Sequence, residues 1–356
     1  MGSYGSRIFS QRGMCMINGD LSHELLIEKT KPKLSFDKKN DYETWKGELK
    51  EKFIHLSGFD LIADNACEPQ FEIVSQVQKE GYKQIRFEFY SEIGERVPCY
   101  LLIPDGNKEK YPVAITQQGH SFGFHVSIGE FKNEQEKAQY GHEDFAIQAV
   151  RRGFIALAIE NRGMGERMAT RVNRESSVIC RFASVTALSL GRTLIAERVW
   201  DVMCAIDMLS NFPQCDLDKI LITGNSGGGT LSYYAACLDE RIKLSVPSCA
   251  FSPYKTSILD IIHCNCNYIP SAYRYFEMQD LAALIAPRRL ILVNGEKDDI
   301  FPIAGVKDGF EKVKSIYEVC NVADRCKLAI TPMHHYWCTD IVWDNILDAA
   351  KEMNWL

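Results

Sequence analysis

The chain has 356 residues, 46% of them hydrophobic and 25% charged, the composition of an ordinary globular protein long enough to bury a large core. A formal net charge of -6 without a basic run gives no electrostatic reason to expect nucleic acid or an anionic membrane as partner. No stretch reaches the roughly 18 consecutive apolar residues that span a bilayer, which leaves a small-molecule or oligosaccharide substrate as the compatible class.

Met1 to Arg12 is polar and lacks the apolar middle of a secretory signal. Thirteen cysteines, scattered without CxxC pairs, fit reduced thiols better than a disulfide framework. The expected compartment is therefore the cytoplasm, a secreted form requiring a signal already removed. The oligomeric state stays open.

Residues 1–40 have mixed charge and little periodicity and are expected as an extended or loosely docked lead-in to one domain, 41–356. Asp41 is placed to cap a helix through Trp45, Leu49, Phe53 and Leu56, which Gly58 would stop. Alternation over Phe71 to Val74, Ile85 to Phe89 and Val97 to Pro104 predicts antiparallel strands. Then short continuous apolar runs begin: Val113 to Thr116, Phe154 to Ile159, Ile220 to Ile222, Leu244 to Val246, Leu290 to Val293 and Leu328 to Ile330. Such runs suit strands buried on both faces, and helical stretches fall between them. In the best of these, Thr193 to Leu209, Leu194, Val199, Trp200, Val202, Met203 and Ile206 form the apolar stripe, while Glu197, Arg198, Asp201 and Asp207 are expected mostly on the other side. The predicted architecture is α/β, a mainly parallel sheet with antiparallel N-terminal strands and helices on both faces. Residues 163–192 are too long and mixed for a simple connection and are expected to cap the site.

Gly224-Asn225-Ser226-Gly227-Gly228 follows the apolar run at 220–222 and leads into a helical segment, the sequence form of a nucleophile elbow. Such a tight turn strains the serine backbone and leaves no room for neighbouring side chains, which exposes the hydroxyl at the sheet end. In this arrangement the acid and the histidine follow later strands in that order. After Leu290 to Val293 comes Gly295-Glu296-Lys297-Asp298-Asp299, from which Asp298 is chosen as the acid. After Leu328 to Ile330 comes the pair His334-His335, which spacing alone does not separate. The residue types match the chemistry: imidazole takes the proton that makes a serine hydroxyl nucleophilic, and a carboxylate fixes the imidazole's tautomer. The oxyanion formed on a carbonyl would take the backbone N–H of Gly227 and one from the loop Gly119 to Ser121, expected to be that of His120. The His120 side chain is read as packing beside that loop.

Trp337, Tyr268 and Phe122 are weaker expectations as surfaces that stack on a sugar. Glu160, Arg162 and Glu166 read as either substrate-facing or a buried ion pair. His263-Cys264-Asn265-Cys266 crowds soft ligands together, but adjacent and i+2 positions do not make a four-ligand zinc site without distant help, so no metal and no cofactor are expected.

Residues 41–356 resemble the α/β hydrolases of the acetyl xylan esterase and dienelactone hydrolase-like group. The matching segments are Gln118-Gly119-His120, Asn161 to Glu166, Gly191-Arg192-Thr193 with Arg198 to Asp201, Gly224 to Gly229, Ile285 to Arg289, and Gly295 to Asp298 with Phe301-Pro302. The group's acid loop falls on Asp298 and its histidine loop, with a tryptophan eight residues on, falls on His335 and Trp343, so the resemblance chooses His335 over His334. It implies a serine carboxylesterase that deacetylates a sugar or oligosaccharide through an acyl-enzyme. Two departures narrow this. Dienelactone hydrolases use a cysteine where Ser226 stands, and similar glucuronoyl esterases place an arginine where Gly227 stands. Met333 and His334 replace the small residues that usually precede the histidine. The rival readings are a peptidase or amidase of the same fold and a scaffold without activity.

Overall fold

The computed structural model describes residues 19–121, 123–170 and 180–356. Its strands are β1 (Glu72–Lys79), β2 (Tyr82–Glu92), β3 (Glu95–Pro104), β4 (Tyr111–Gln117), β5 (Ile155–Ile159), β6 (Cys215–Asn225), β7 (Ile242–Ser248), β8 (Arg289–Gly295) and β9 (Cys326–Thr331). They form one sheet in the order β1-β2-β3-β5-β4-β6-β7-β8-β9. The three alternating segments pair antiparallel, and β3 also meets β5 antiparallel. All pairs from β5 through β4 to β9 are parallel. The apolar runs explain this: every residue of β4 and β5 is buried, because helices cover both sheet faces. The edge strand β1 is exposed along its whole length.

Helix Tyr42–Ser57 begins where Asp41 Oδ1 accepts the Thr44 N–H at 2.9 Å and ends at Gly58, φ 71°. It buries Trp45 against Phe36, and Phe53 against Tyr234 and Phe276, with Leu49 buried between them in sequence. Residues 1–18 of the expected lead-in lie outside the described residues, and Lys33 to Phe36 dock on the domain through their backbone. Leu21–Lys29 is helical, and Phe36 is buried against Trp45 while its N–H donates to Asp280 at 2.9 Å.

Helix Leu194–Met208 keeps its predicted apolar stripe but corrects the other face, since Arg198 and Asp201 are both buried. They are affordable there only because they are paired. Asp201 accepts from Arg162, Arg167 and Ser91 at 2.6–2.8 Å, and Arg198 donates twice to the Arg162 carbonyl. Arg162 also reaches Glu92 and Glu197. Of the two readings of Arg162, the buried ion network is the observed one. Burial resists ionisation of Asp201, but the two arginines outweigh it and hold the carboxyl down at about 2.

The described parts of 163–192 are the turn Gly165–Arg167 and helix Arg181–Ser189; 171–179 lie outside the described residues. Between them and the network is a cavity of about 350 Å³, lined by Glu92, Arg162, Arg167, Phe182, Thr186 and Glu197 among others. No helix among the described residues is long and apolar enough to cross a membrane.

Candidate active site

Sheet order brings the chemical loops to one edge. β4 and β6 are neighbours in register, with Gln117 beside Gly224, so the loop after β4 lies against the turn after β6. β8 and β9 are neighbours as well, with Gly295 beside Thr331, and their loops are tied by Lys297 N–H to the Met333 carbonyl at 3.0 Å.

Ser226 sits between β6 and helix Gly227–Leu238 at φ 54°, ψ -120°, a backbone that a side-chain-bearing residue adopts only under constraint. Its N–H donates to Ser248 O on β7 at 2.9 Å and its carbonyl accepts the Thr230 N–H, which fixes the turn from both sides. The flanking glycines are steric necessities: a Cβ at Gly224 or at Gly228 would overlap the Gln117 carbonyl oxygen. Gly228→Ala is expected to destabilise the protein by about 3 kcal/mol, because rigid backbone must move to admit the methyl. Urea unfolding of the variant beside wild type measures this, and an unchanged midpoint would count against the elbow packing.

Ser226 Oγ–H donates to His335 Nε2 at 2.8 Å, and His335 Nδ1–H donates to Asp298 Oδ2 at 2.9 Å. Asp298 is buried, and its other oxygen accepts the N–H groups of Ile300 and Phe301, each at 2.9 Å. Burial alone would raise its pKa, yet His335 and these two amides hold it below the usual carboxylate range. The Phe301 ring stacks on the His335 imidazole at 5.9 Å and 16°, restricting its tilt. His334 is exposed and makes no part of this chain of bonds. No residue from 332 to 337 needs a positive φ, so Met333 and His334 stand in this loop without strain.

Gly227 is the first residue of its helix, where an N–H has no intrahelical acceptor. Neither its amide nor that of His120 donates to another backbone group among the described residues. Gly119 is held close to the elbow, since a Cβ there would stand 3.4 Å from Ser226 Cβ. The His120 ring packs on Gly227 and points Nε2 at Cys266 Sγ, 3.3 Å away.

The aromatic expectations fare differently. Trp337 is 1% exposed, packs on Phe145 and donates its indole N–H to Gln148 at 3.1 Å, so it is core and unavailable for stacking on a substrate. Tyr268 lines a groove shared with Leu26, Ile258 and Ile262, and Phe122 lies outside the described residues. Tyr336, which sequence reasoning passed over, follows His335 directly, is 37% exposed and stacks on His142 at 3.9 Å. Its position beside the histidine was the available signal.

Cys249, Asp298 and His335 bring three ligand atoms close together, but Asp298 and His335 are already bonded to each other and, through Nε2, to Ser226. His263 donates to or accepts from Ser257 Oγ at 2.9 Å, and burial pushes it down to about 4, so it is neutral.

The nine-stranded, mostly parallel sheet, with a strained serine after β6 and an acid and a histidine after β8 and β9, defines an α/β hydrolase. The chain belongs to the Abhydrolase family, whose model matches residues 9–243 and so includes the elbow. It is similar to the protein named "Putative hydrolase YtaP" of Bacillus subtilis (strain 168), 26% identical over 246 residues, 68% of this chain and 79% of that protein. Among solved structures it resembles a "putative acetyl xylan esterase" from Bacteroides fragilis NCTC 9343, with TM-score 0.73 and 19% identity over 91% of this chain and 84% of that one. An acetyl xylan esterase from Paenibacillus sp. R4 gives TM-score 0.60 at 17% identity, covering 84% and 94%. A glucuronoyl esterase from Solibacter usitatus gives 0.61 at 14% identity, covering 91% and 98%.

Proposed function

We propose that this protein is a serine carboxylesterase that removes acetyl groups from a sugar or oligosaccharide. The observation that carries the reading is the continuous bond chain Ser226, His335, Asp298, with spacings of 2.8 and 2.9 Å, beside two amides, of Gly227 and His120, that donate to no other backbone group among the described residues. Ser226 Oγ attacks the ester carbonyl as His335 Nε2 takes its proton. The resulting oxyanion is held by the N–H groups of Gly227 and His120, each contributing about 3 kcal/mol to the transition state. His335, charged and stabilised by the Asp298 carboxylate, returns the proton to the leaving sugar oxygen. Water then repeats the sequence on the acetyl-enzyme and releases acetate.

The acetyl and sugar parts of the reading are supported by the names of the structural relatives and by Gly227 standing where a glucuronoyl esterase would carry arginine. Exposed Tyr336 on His142 offers the aromatic face a sugar ring would meet. A reducing compartment belongs to the same reading, since the described cysteines are all free.

Rates on 4-nitrophenyl acetate, acetylated xylo-oligosaccharides and an amino-acid 4-nitroanilide test it. The expected order is fast turnover of both esters and slow turnover of the anilide. Preference for the anilide would make the protein an amidase, and no turnover of any of the three would leave the inactive scaffold.

A further inference from the structure

Cys264 and Cys266 lack enough reach on their own, but the fold supplies the distant ligands they need. Cys180, the residue before helix Arg181–Ser189, and His120, in the loop after β4, converge on them. The four ligand atoms, His120 Nε2 and three Sγ, all lie within 4.8 Å of one another. Individual spacings are 3.3 Å from Nε2 to Cys266, 3.6 Å from Nε2 to Cys180 and 2.8 Å between Cys180 and Cys264. Cys180 and Cys266 are buried and His120 and Cys264 are half-buried.

We propose that His120, Cys180, Cys264 and Cys266 form a closed zinc site that fastens the residue-180 segment and the 264–266 segment to the loop carrying the candidate oxyanion amide. The donor set is one imidazole and three thiolates, which suits tetrahedral zinc and leaves no open position for substrate or water. Ligands of such an ion stand about 3.8 Å apart, so the two contacts of Nε2 are near the required spacing and the Cys180–Cys264 pair opens by about 1 Å to admit it. That pair at 2.8 Å is also well beyond the roughly 2.05 Å of a disulfide.

Charge supports the same assignment. Three thiolates and Zn²⁺ sum to a single negative charge, and the fully buried Arg198 supplies the compensating cation. The Arg198 guanidinium lies against the Cys266 sulfur. Arg198 in turn donates to the Arg162 carbonyl, linking the cluster to the ion network beneath residues 163–167. The role is structural. The His120 ring packs on Gly227, so an ion on its Nε2 would fix the ring and the adjacent amide at the elbow.

Zinc content is read without any substrate, so failure of this proposal leaves the esterase reading untouched, and the reverse holds as well. Full-length protein, freed of affinity tags and dialysed, is analysed by plasma mass spectrometry. The expected content is one zinc per chain in wild type and less than about a tenth of that in Cys264→Ser/Cys266→Ser. Because unfolding of the double variant would also empty the site, the second readout uses wild type only: protein stripped by chelator and titrated with Co²⁺ should show intense ligand-field bands of a tetrahedral site and a thiolate-to-cobalt charge-transfer band, saturating at one equivalent. Wild type that neither carries zinc nor develops these bands overturns the proposal. So does a Cys180–Cys264 disulfide, seen as an intact mass short by two hydrogens with both cysteines resistant to alkylation.

Discussion

Ser226→Ala should lower kcat on 4-nitrophenyl acetate by about ten-thousandfold or more, leaving only what the backbone amides and substrate binding supply. The substitution removes Oγ and its 2.8 Å bond to His335 but keeps everything that shapes the turn, because the elbow is fixed through backbone bonds to Ser248 and Thr230. Alanine has the same Cβ as serine and inherits the φ of 54° without new crowding. The unfolding midpoint should therefore hold while the rate collapses, a combination that separates a nucleophile from a merely structural residue. Steady-state kinetics and thermal unfolding on the same preparation read both. A rate within tenfold of wild type would mean that Ser226 does not attack the ester.

Asp298→Asn should cost nearly as much, on the order of ten-thousandfold in kcat, with little change in KM. Asparagine fills the same space, and its carbonyl oxygen still accepts the N–H groups of Ile300 and Phe301. Its NH₂ then faces His335 Nδ1, which must become an acceptor. The imidazole proton moves to Nε2, where it points at Ser226 Oγ and blocks proton uptake. A pH signature accompanies this. The native Asp298 pKa lies below its unfolded value, so its stabilising contribution is fully present above about pH 3.9 and is lost as pH falls through the native pKa. The stability gap between wild type and Asp298→Asn should thus narrow in acid and be constant near neutrality, as urea unfolding across pH would record. A variant of near-normal kcat would remove Asp298 from the relay.

The elbow was legible because its constraint is local: five consecutive residues encode a turn that tolerates little else at Gly224 and Gly228. Chain order pointed to the loops that hold Asp298 and the pair His334-His335, since each follows an apolar run that became a strand, β8 and β9, and the family resemblance singled out His335. What escaped were contacts between residues far apart in sequence. Arg198 and Asp201 look like a solvated helix face until another loop brings Arg162 and Arg167 to neutralise Asp201 and the Arg162 carbonyl to accept from Arg198. Trp337 looks like a site aromatic until Gln148, 189 residues away, claims its N–H. Cys264 and Cys266 lack partners in their own segment, and the two that complete the set stand 84 and 146 positions away, at Cys180 and His120. Periodicity carries no information about any of these, because each depends on which loops the sheet order brings together.

Acid quenching of the protein during turnover of 4-nitrophenyl acetate, followed by intact mass and peptide mapping, tests the central claim most directly. The expected result is one acetyl group per chain on the peptide containing Ser226, absent from Ser226→Ala and decaying as acetate is released. An acetyl group on another residue, formed and lost at the rate of turnover in both proteins, would contradict it.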